Sequence, residues 1–339
     1  MKFRAIVLHV KDSEDYASYS DSLRRVANRL DAFTLRAVLR EPSDEVDLEL
    51  KAVYAGEGSK AFDKAWDLLS KGYFTSVSLG SDPYSAPLNH AAEFIARISE
   101  ELGPEYNTML AITTGTPPEG PYFPATRANG LGISASLLYP SDLYGALYEA
   151  EEPNAIIRHV MSLIFQQAEE SLLQAMEEDG GDLPYLGIDF SLSPWMEESS
   201  AKVISLVARA PFLAPGTASA VLEVNRAIRE VSMGLKSIGF GEVMLPMAED
   251  DLLKEMVLEG TLTARDLVSL TPYCVTGLDM VALPLSTPVR ELAKLIGDVL
   301  AASSVKRNVL GVRIILVDAE PGEEVELGRF GKVPVMSLG

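Results

Sequence analysis

Thr271-Pro-Tyr-Cys-Val-Thr-Gly-Leu-Asp-Met-Val-Ala-Leu-Pro284 is a polar turn that runs into an apolar strand. It holds the only cysteine of the chain, Cys274, followed by Gly277, Asp279 and the apolar run Met280 to Leu283, closed by Pro284. A helix ending at Gly277 would use glycine's freedom to adopt the left-handed C-cap conformation. The run after it reads as a short buried strand. A thiol at the end of one element and a carboxylate at the mouth of the next make a candidate chemical corner.

The same rhythm extends outward through the second half. Residues 186–190 read as a strand, Ser191-Leu-Ser-Pro-Trp195 as a loop and 199–208 as a helix, with a further helix at 217–236. A strand at 243–247 flows into Glu249-Asp-Asp251 and a helix at 252–258, and Thr263 caps the helix leading to Cys274. After the strand at 279–284, Thr287 and Pro288 supply an N-cap and a proline at N1 for a helix over 289–303. Strands at 312–317, 325–327 and 333–336 follow.

In the first half, strands are expected at 3–10, 33–39, 48–54, 73–79, 108–113 and 132–139. Helices are expected at 13–30, 60–71, 90–102, 141–149 and 155–178, the last capped by Asn154. Gly80-Ser-Asp-Pro83 reads as a turn. The stretch from Thr114 to Arg127 contains four prolines and two glycines, which forbid a helix. A loop of that length inside a compact domain is usually functional or mobile. The acidic stretch Glu177-Glu-Asp-Gly-Gly-Asp182 marks a boundary between halves, 1–182 and 183–339, if one exists.

About ten strands interleaved with helices predict a mostly parallel sheet, apolar on both faces, either doubly wound or closed into an α/β barrel. In both, ligands gather at the carboxyl ends of strands. That reasoning puts Asp189, Ser191, Ser193, Glu249, Asp250, Ser286 and Thr287 on a common rim.

Composition narrows the function. A net charge of −20 over 339 residues repels phosphate backbones and anionic lipid, which argues against nucleic-acid or membrane-surface partners. The N-terminus is too short and strand-like for a signal peptide, and no run reaches the ~18 apolar residues of a membrane span, so a cytoplasmic protein is expected. One cysteine excludes a cysteine-rich metal centre, and three scattered histidines argue against a histidine-built one. A carboxylate site for magnesium or calcium stays open. No phosphate-binding glycine loop or Gly-x-Ser-x-Gly elbow occurs, and no motif names a cofactor.

The candidate site residues carry open alternatives. Cys274 is either a nucleophile, which would need a base or a positive environment, or a buried structural thiol. Asp189 either grips a hydroxyl or bonds its own turn, and Glu249 and Asp250 either line a site or cap a helix. Arg127 is a candidate anion clamp. Arg313, alone among apolar strand residues, should pair with a carboxylate.

Ile188-Asp-Phe-Ser-Leu-Ser-Pro194, Pro246-Met-Ala-Glu-Asp250, Cys274-Val-Thr-Gly-Leu-Asp-Met280 and Gly328-Arg-Phe-Gly-Lys-Val-Pro-Val-Met336 resemble, in order, successive blocks of an uncharacterised family, domain of unknown function seven-hundred-and-eleven. Where that family has a glycine-rich run before its Pro-x-x-Glu-Asp block, this chain has Ser237-Ile-Gly-Phe-Gly241. The resemblance implies a fold similar to the glycyl radical enzymes, a ten-stranded α/β barrel with helices outside, here as one domain over 1–339. It does not imply radical chemistry, because Leu327-Gly-Arg-Phe-Gly331 does not match the radical glycine motif. The expectation is a small-molecule enzyme or metabolite binder without a radical, with Cys274, Asp279, Glu249 and Asp189 as catalytic candidates. Ser191, Ser193, Asp250, Thr287 and Arg127 would bind the ligand. The alternative is a non-catalytic, oligomeric scaffold or regulatory binder.

Overall fold

Strand 2–10 alternates between two kinds of neighbour, and that alternation organises the molecule. Phe3, Ile6, Leu8 and Val10 join the main hydrophobic cluster, while Ala5 and Val7 join a small second one with Val38, Ala128 and Phe123. One sheet face therefore packs on helices. The other packs on the proline-rich loop.

The computed structural model describes residues 1–11, 16–80, 82, 85–276 and 278–339. In chain order its elements are β1 (Lys2–Val10), α1 (Tyr16–Arg29), β2 (Thr34–Leu39), β3 (Leu50–Glu57), α2 (Ser59–Ser70), β4 (Phe74–Ser78), α3 (Leu88–Glu101), α4 (Pro104–Asn107), β5 (Leu110–Thr113) and β6 (Gly132–Leu138). Then come α5 (Pro140–Tyr148), α6 (Pro153–Asp179), β7 (Tyr185–Asp189), α7 (Ser200–Ala208), α8 (Thr217–Ser232), α9 (Asp251–Leu258), α10 (Ala264–Leu270), β8 (Val281–Pro284), α11 (Val289–Lys306), β9 (Gly311–Val312), β10 (Ile314–Val317), β11 (Glu324–Glu326) and β12 (Lys332–Pro334).

The fold is mixed α/β around an eight-stranded sheet of order β7-β6-β1-β2-β3-β4-β5-β9, with β10-β8 and β11-β12 as two-stranded pairs. From β1 to β5 all neighbours run parallel, and β6 runs parallel to β7. The joins β1–β6 and β5–β9 are antiparallel. Consequently the carboxyl end of β7 lies on the same side as the amino end of β1. Helix α1 packs on β1 and β2, and α2 on β3 and β4.

Backbone bonds continue past the sheet's edges. Beyond β7, Ile188 N donates to Lys236 O at 3.0 Å and Met244 N to Leu192 O at 2.9 Å. Further on, Val275 N donates to Val243 O at 3.1 Å, Met247 N to Asp279 O at 2.9 Å, and Val281 N to Arg313 O at 3.1 Å. Arg313 is the one residue separating β9 from β10. The single strand expected over 312–317 is thus divided, because β9 pairs with β5 and β10 with β8.

Several local expectations change. Residues 243–247 form no named strand, and Pro246 has no N–H to give a ladder. Asn154 lies inside α6, which begins at Pro153, and Pro288 rather than Thr287 occupies the N-cap of α11. Helix α10 ends at Leu270, well before Cys274, and its start carries a capping box between Thr263 and Asp266. The expected cap at Gly277, the helix start at 13–15 and most of the turn at 80–83 fall on or beside residues outside the described set.

Candidate functional site

An arginine sits on a β-bulge at the start of the first strand. The register of β1 against β6 shifts between Phe3 and Ala5, making Arg4 the extra residue. Bulges re-aim side chains, and this one turns Arg4 away from the helices. Its Nη1 donates to Ser193 Oγ and Pro194 O, each at 2.5 Å, and its Nη2 donates to Glu249 Oε2. Glu249 Oε1 accepts from Arg313 Nη2 at 3.1 Å. Arg313 in turn grips Asp279 with two bonds, Nε to Oδ1 at 2.5 Å and Nη2 to Oδ2 at 2.8 Å.

The result is a buried chain of alternating charge, Arg4–Glu249–Arg313–Asp279, with every member under 10% exposed. Burial by itself would raise the Glu249 carboxyl. The guanidiniums of Arg4, Arg313 and Arg329 outweigh it and bring the group down to about 2. Glu249 is positioned by a short 3-10 turn, Met247–Glu249, whose amides are tied to Asp279 O and Met280 O.

Beside this chain lies a cavity lined by Arg4, Arg36, Tyr122, Ser193, Glu249, Thr276, Asp279, Arg313 and Arg329 among others. It leaves about 40 Å³ for the centres of water-sized molecules, room for roughly three waters or a compact polar ligand. Arg36 projects from the same face of β2 as Val38 and is 5% exposed. Its Nε donates to Thr34 Oγ1 at 3.0 Å and its Nη1 to Pro121 O at 3.2 Å, over the Phe123 ring. Burial, with Arg4 and Arg329 nearby, pushes its guanidinium down to about 9, so it is still charged at neutral pH. Arg329 is exposed at the cavity mouth, 5.8 Å from the Trp195 ring centre. Among the described residues, neither Arg36 nor Arg329 has a carboxylate within salt-bridge distance. The buried hydroxyls of Tyr122 and Thr276 have no hydrogen-bond partner there either.

Of the residues singled out from sequence, Ser193, Glu249 and Asp279 meet at this cavity, and Arg313 has the carboxylate partners expected of it. The others lie elsewhere. Asp189 is a buried knot: Oδ1 accepts from Ser191 N (2.9 Å), Ser191 Oγ (2.6 Å) and Gly241 N (3.1 Å), and Oδ2 from Phe240 N (2.8 Å). It thereby holds the turn that carries Phe240 to the cavity wall. Asp250 caps two helices, accepting from Leu252 N of α9 and Ala201 N of α7 at 3.1 Å each. Its burial raises it to about 6.

Cys274 is fully buried, and among the described residues its thiol donates to Leu270 O alone, at 3.4 Å. Burial, partly offset by Lys306, pushes the thiol up to about 12. A thiol reagent is therefore expected to leave the folded protein unlabelled and to modify one cysteine after unfolding, read by intact mass. Rapid native labelling would contradict this burial. Thr287 is half-buried and Ser286 exposed beyond β8, away from the cavity. Arg127 lines a separate depression with Lys11, Arg40, Tyr54 and Asn129, at the opposite ends of β1 and β2. Among the described residues, no group of three or more His, Cys, Asp or Glu side chains is placed to hold a metal ion, and no helix is long and apolar enough to cross a membrane.

Sequence reasoning missed Arg4, Arg36, Tyr122 and Arg329. The signal for the first two was present in Lys2-Phe-Arg-Ala-Ile6 and Thr34-Leu-Arg-Ala-Val38, each a lone arginine in an apolar strand, the pattern that singled out Arg313.

All four stretches Ile188–Pro194, Pro246–Asp250, Cys274–Met280 and Gly328–Met336 send residues to this one cavity: Ser193, Pro246 with Glu249, Thr276 with Asp279, and Arg329. Residues 85–328 match the family described as Uncharacterised ACR (DUF711). The chain belongs to this family. A UPF0210 protein of Sulfurisphaera tokodaii is 27% identical over 258 residues, covering 72% of this chain and 58% of that protein. A UPF0210 protein of Pyrobaculum islandicum is 28% identical over 283 residues, 79% of this chain and 62% of its own. One from Clostridium acetobutylicum is 27% identical over 284 residues, 78% and 63% respectively. The chain spans about six-tenths of the length of these curated relatives.

Proposed function

We propose that this DUF711 protein binds a small organic anion in the arginine-lined cavity, as a metabolite binder or a non-radical enzyme. The observation that carries the reading is Arg36 together with Arg329: two guanidiniums lining the cavity with no carboxylate in salt-bridge distance of either among the described residues, in a chain of net charge −20. A buried charge is retained where something compensates it, and a ligand anion would do so. The hydroxyls of Tyr122 and Thr276 supply hydrogen bonds to the same ligand. The non-radical part of the reading rests on Cys274, whose thiol does not reach the cavity.

The fold we propose for the site is a ten-stranded barrel similar to that of the glycyl radical enzymes. Support comes from the backbone bonds that run from β7 through 236–248 and 275–284 to β10, whose neighbour β9 pairs with β5. The cavity then lies within the ring, at the carboxyl ends of one set of strands and the amino ends of the other.

Arg36→Met tests the anion reading. Losing a charge-assisted hydrogen bond worth about 1.5–3 kcal/mol should raise the Kd of a bound carboxylate roughly tenfold to a hundredfold, read by calorimetry. The same variant should be no less stable than the parent without ligand, because it removes an under-compensated buried charge. If a panel of small carboxylates and phosphate fails to bind the parent, the non-catalytic scaffold reading takes its place.

A further inference from the structure

We infer that the ligand is a short dicarboxylate, with one carboxylate on Arg36 in the depth of the cavity and the other on Arg329 at its mouth. This rests on the anion reading above and specifies the ligand within it.

Charge gives the first argument. Four guanidiniums (Arg4, Arg36, Arg313, Arg329) face two carboxylates (Glu249, Asp279) around the cavity, which leaves two positive charges. Arg4 and Arg313 are spoken for by their ion pairs. The surplus is therefore on Arg36 and Arg329. A monoanion would satisfy one of them and leave the other as it is. Outside the cavity, the acidic residue that acts on Arg329 is Glu49, exposed and beyond salt-bridge distance.

The second argument is how the two groups are held. Arg36 is fixed by two bonds to Thr34 and Pro121, which leaves its Nη2 without a partner among the described residues. Arg329 is held by aromatic faces, with its guanidinium carbon 4.9 Å from the Phe330 ring centre, 5.8 Å from Trp195 and 6.0 Å from Phe74. Cation–π packing orients a guanidinium while leaving its donor edge open for a fork of two bonds to a carboxylate. Both residues are thus oriented without being neutralised.

Placement limits the length. Arg36 rides on Phe123 at 5.2 Å and Arg329 on Phe74, and these two rings are neighbours with centroids 5.6 Å apart. Two carboxylates on a chain of a few carbons would set one group in the cavity on Arg36 and the other at its mouth on the exposed Arg329. The Tyr122 and Thr276 hydroxyls, buried and without a hydrogen-bond partner among the described residues, line the same space and suit a carboxylate oxygen or a hydroxyl or carbonyl on the ligand's middle.

The test is calorimetric titration of the full chain with malonate, succinate, butyrate and inorganic phosphate at one pH and ionic strength. Malonate or succinate should bind at least about tenfold more tightly than butyrate. In Arg329→Gln the better dicarboxylate should fall to about butyrate's affinity, and butyrate should weaken less than the dicarboxylate. Equal binding of dicarboxylate and butyrate, or binding of phosphate alone, would overturn the dicarboxylate and leave the anion site standing. Failure of all four to bind would overturn the anion site itself.

Discussion

Glu249→Ala should lower the stability of the folded protein by about 3–5 kcal/mol, the loss expected when one partner of a buried ion pair is removed and the other stays charged. Here the loss falls on two arginines at once, because Glu249 accepts from Arg4 on one oxygen and from Arg313 on the other. Asp279 still serves Arg313, whereas Arg4 keeps only Ser193 Oγ and Pro194 O, both neutral. Urea unfolding followed by two probes would measure the change, with an unaltered slope showing that the native state stays compact. Glu249→Gln should lose less, since it keeps an acceptor for one guanidinium.

The acid limb of the stability profile offers an independent check. Glu249 is depressed to about 2, so its stabilisation is complete above its ordinary range near 4.5 and is lost as pH falls through about 2. Asp250 works in the opposite sense. Burial raises it to about 6, so its ionised form costs stability above pH 6, and that cost is relieved as pH falls towards 4. Glu249→Ala should therefore flatten the fall below pH 4 and leave the change between pH 6 and 4 in place.

Gly239→Ala is expected to be comparably damaging, by about 3–5 kcal/mol. The residue has φ +82°, where an L side chain costs roughly 1–2 kcal/mol. A Cβ there would also overlap Oδ2 of Asp189 and stand 2.8 Å from its Cγ. The carboxylate cannot simply swing aside, because four donors hold it, and each bond to a charged group is worth about 1.5–3 kcal/mol. Gly120 of the proline-rich loop approaches so closely that its own Cβ would lie 2.8 Å from Gly239 Cα. Thermal unfolding with and without a bound anion would show both a lower Tm and weaker ligand stabilisation. A variant as stable as the parent would mean that Asp189 is not the clamp its bonds describe.

The family blocks were legible in the sequence because their polar residues interrupt apolar runs near strand ends. That is why Ser193, Glu249 and Asp279 were found. Their partners were harder to see, because Arg4 and Arg36 lie inside strands read as apolar on both faces. In fact the face of β1, β4 and β6 turned from the helices carries His9, Ser76, Ser78, Ser134 and Ser136, all buried. Asp189, Asp250 and Cys274 show the converse. Each has the residue type a site would use, and its neighbours in space make it a clamp, a double helix cap and core filling. Sequence spacing does not reveal that Phe240, 51 positions away, donates to Asp189. In the stretch 271–284, the carboxylate reaches the cavity and the thiol does not.

The ion chain also bears on the order in which the molecule can assemble. Arg4 is separated from Ser193 by 189 positions and from Glu249 by 245. Contacts of such long range return nothing until the loops between them have closed, and they slow folding relative to local ones. Helices such as α6 can form early from their own sequence. The polar centre cannot, because its first member is in the opening strand and its last lies past residue 300. A partly folded chain thus holds Arg4 without its carboxylate, and the cavity is complete only when β1 has met Arg313 and Arg329.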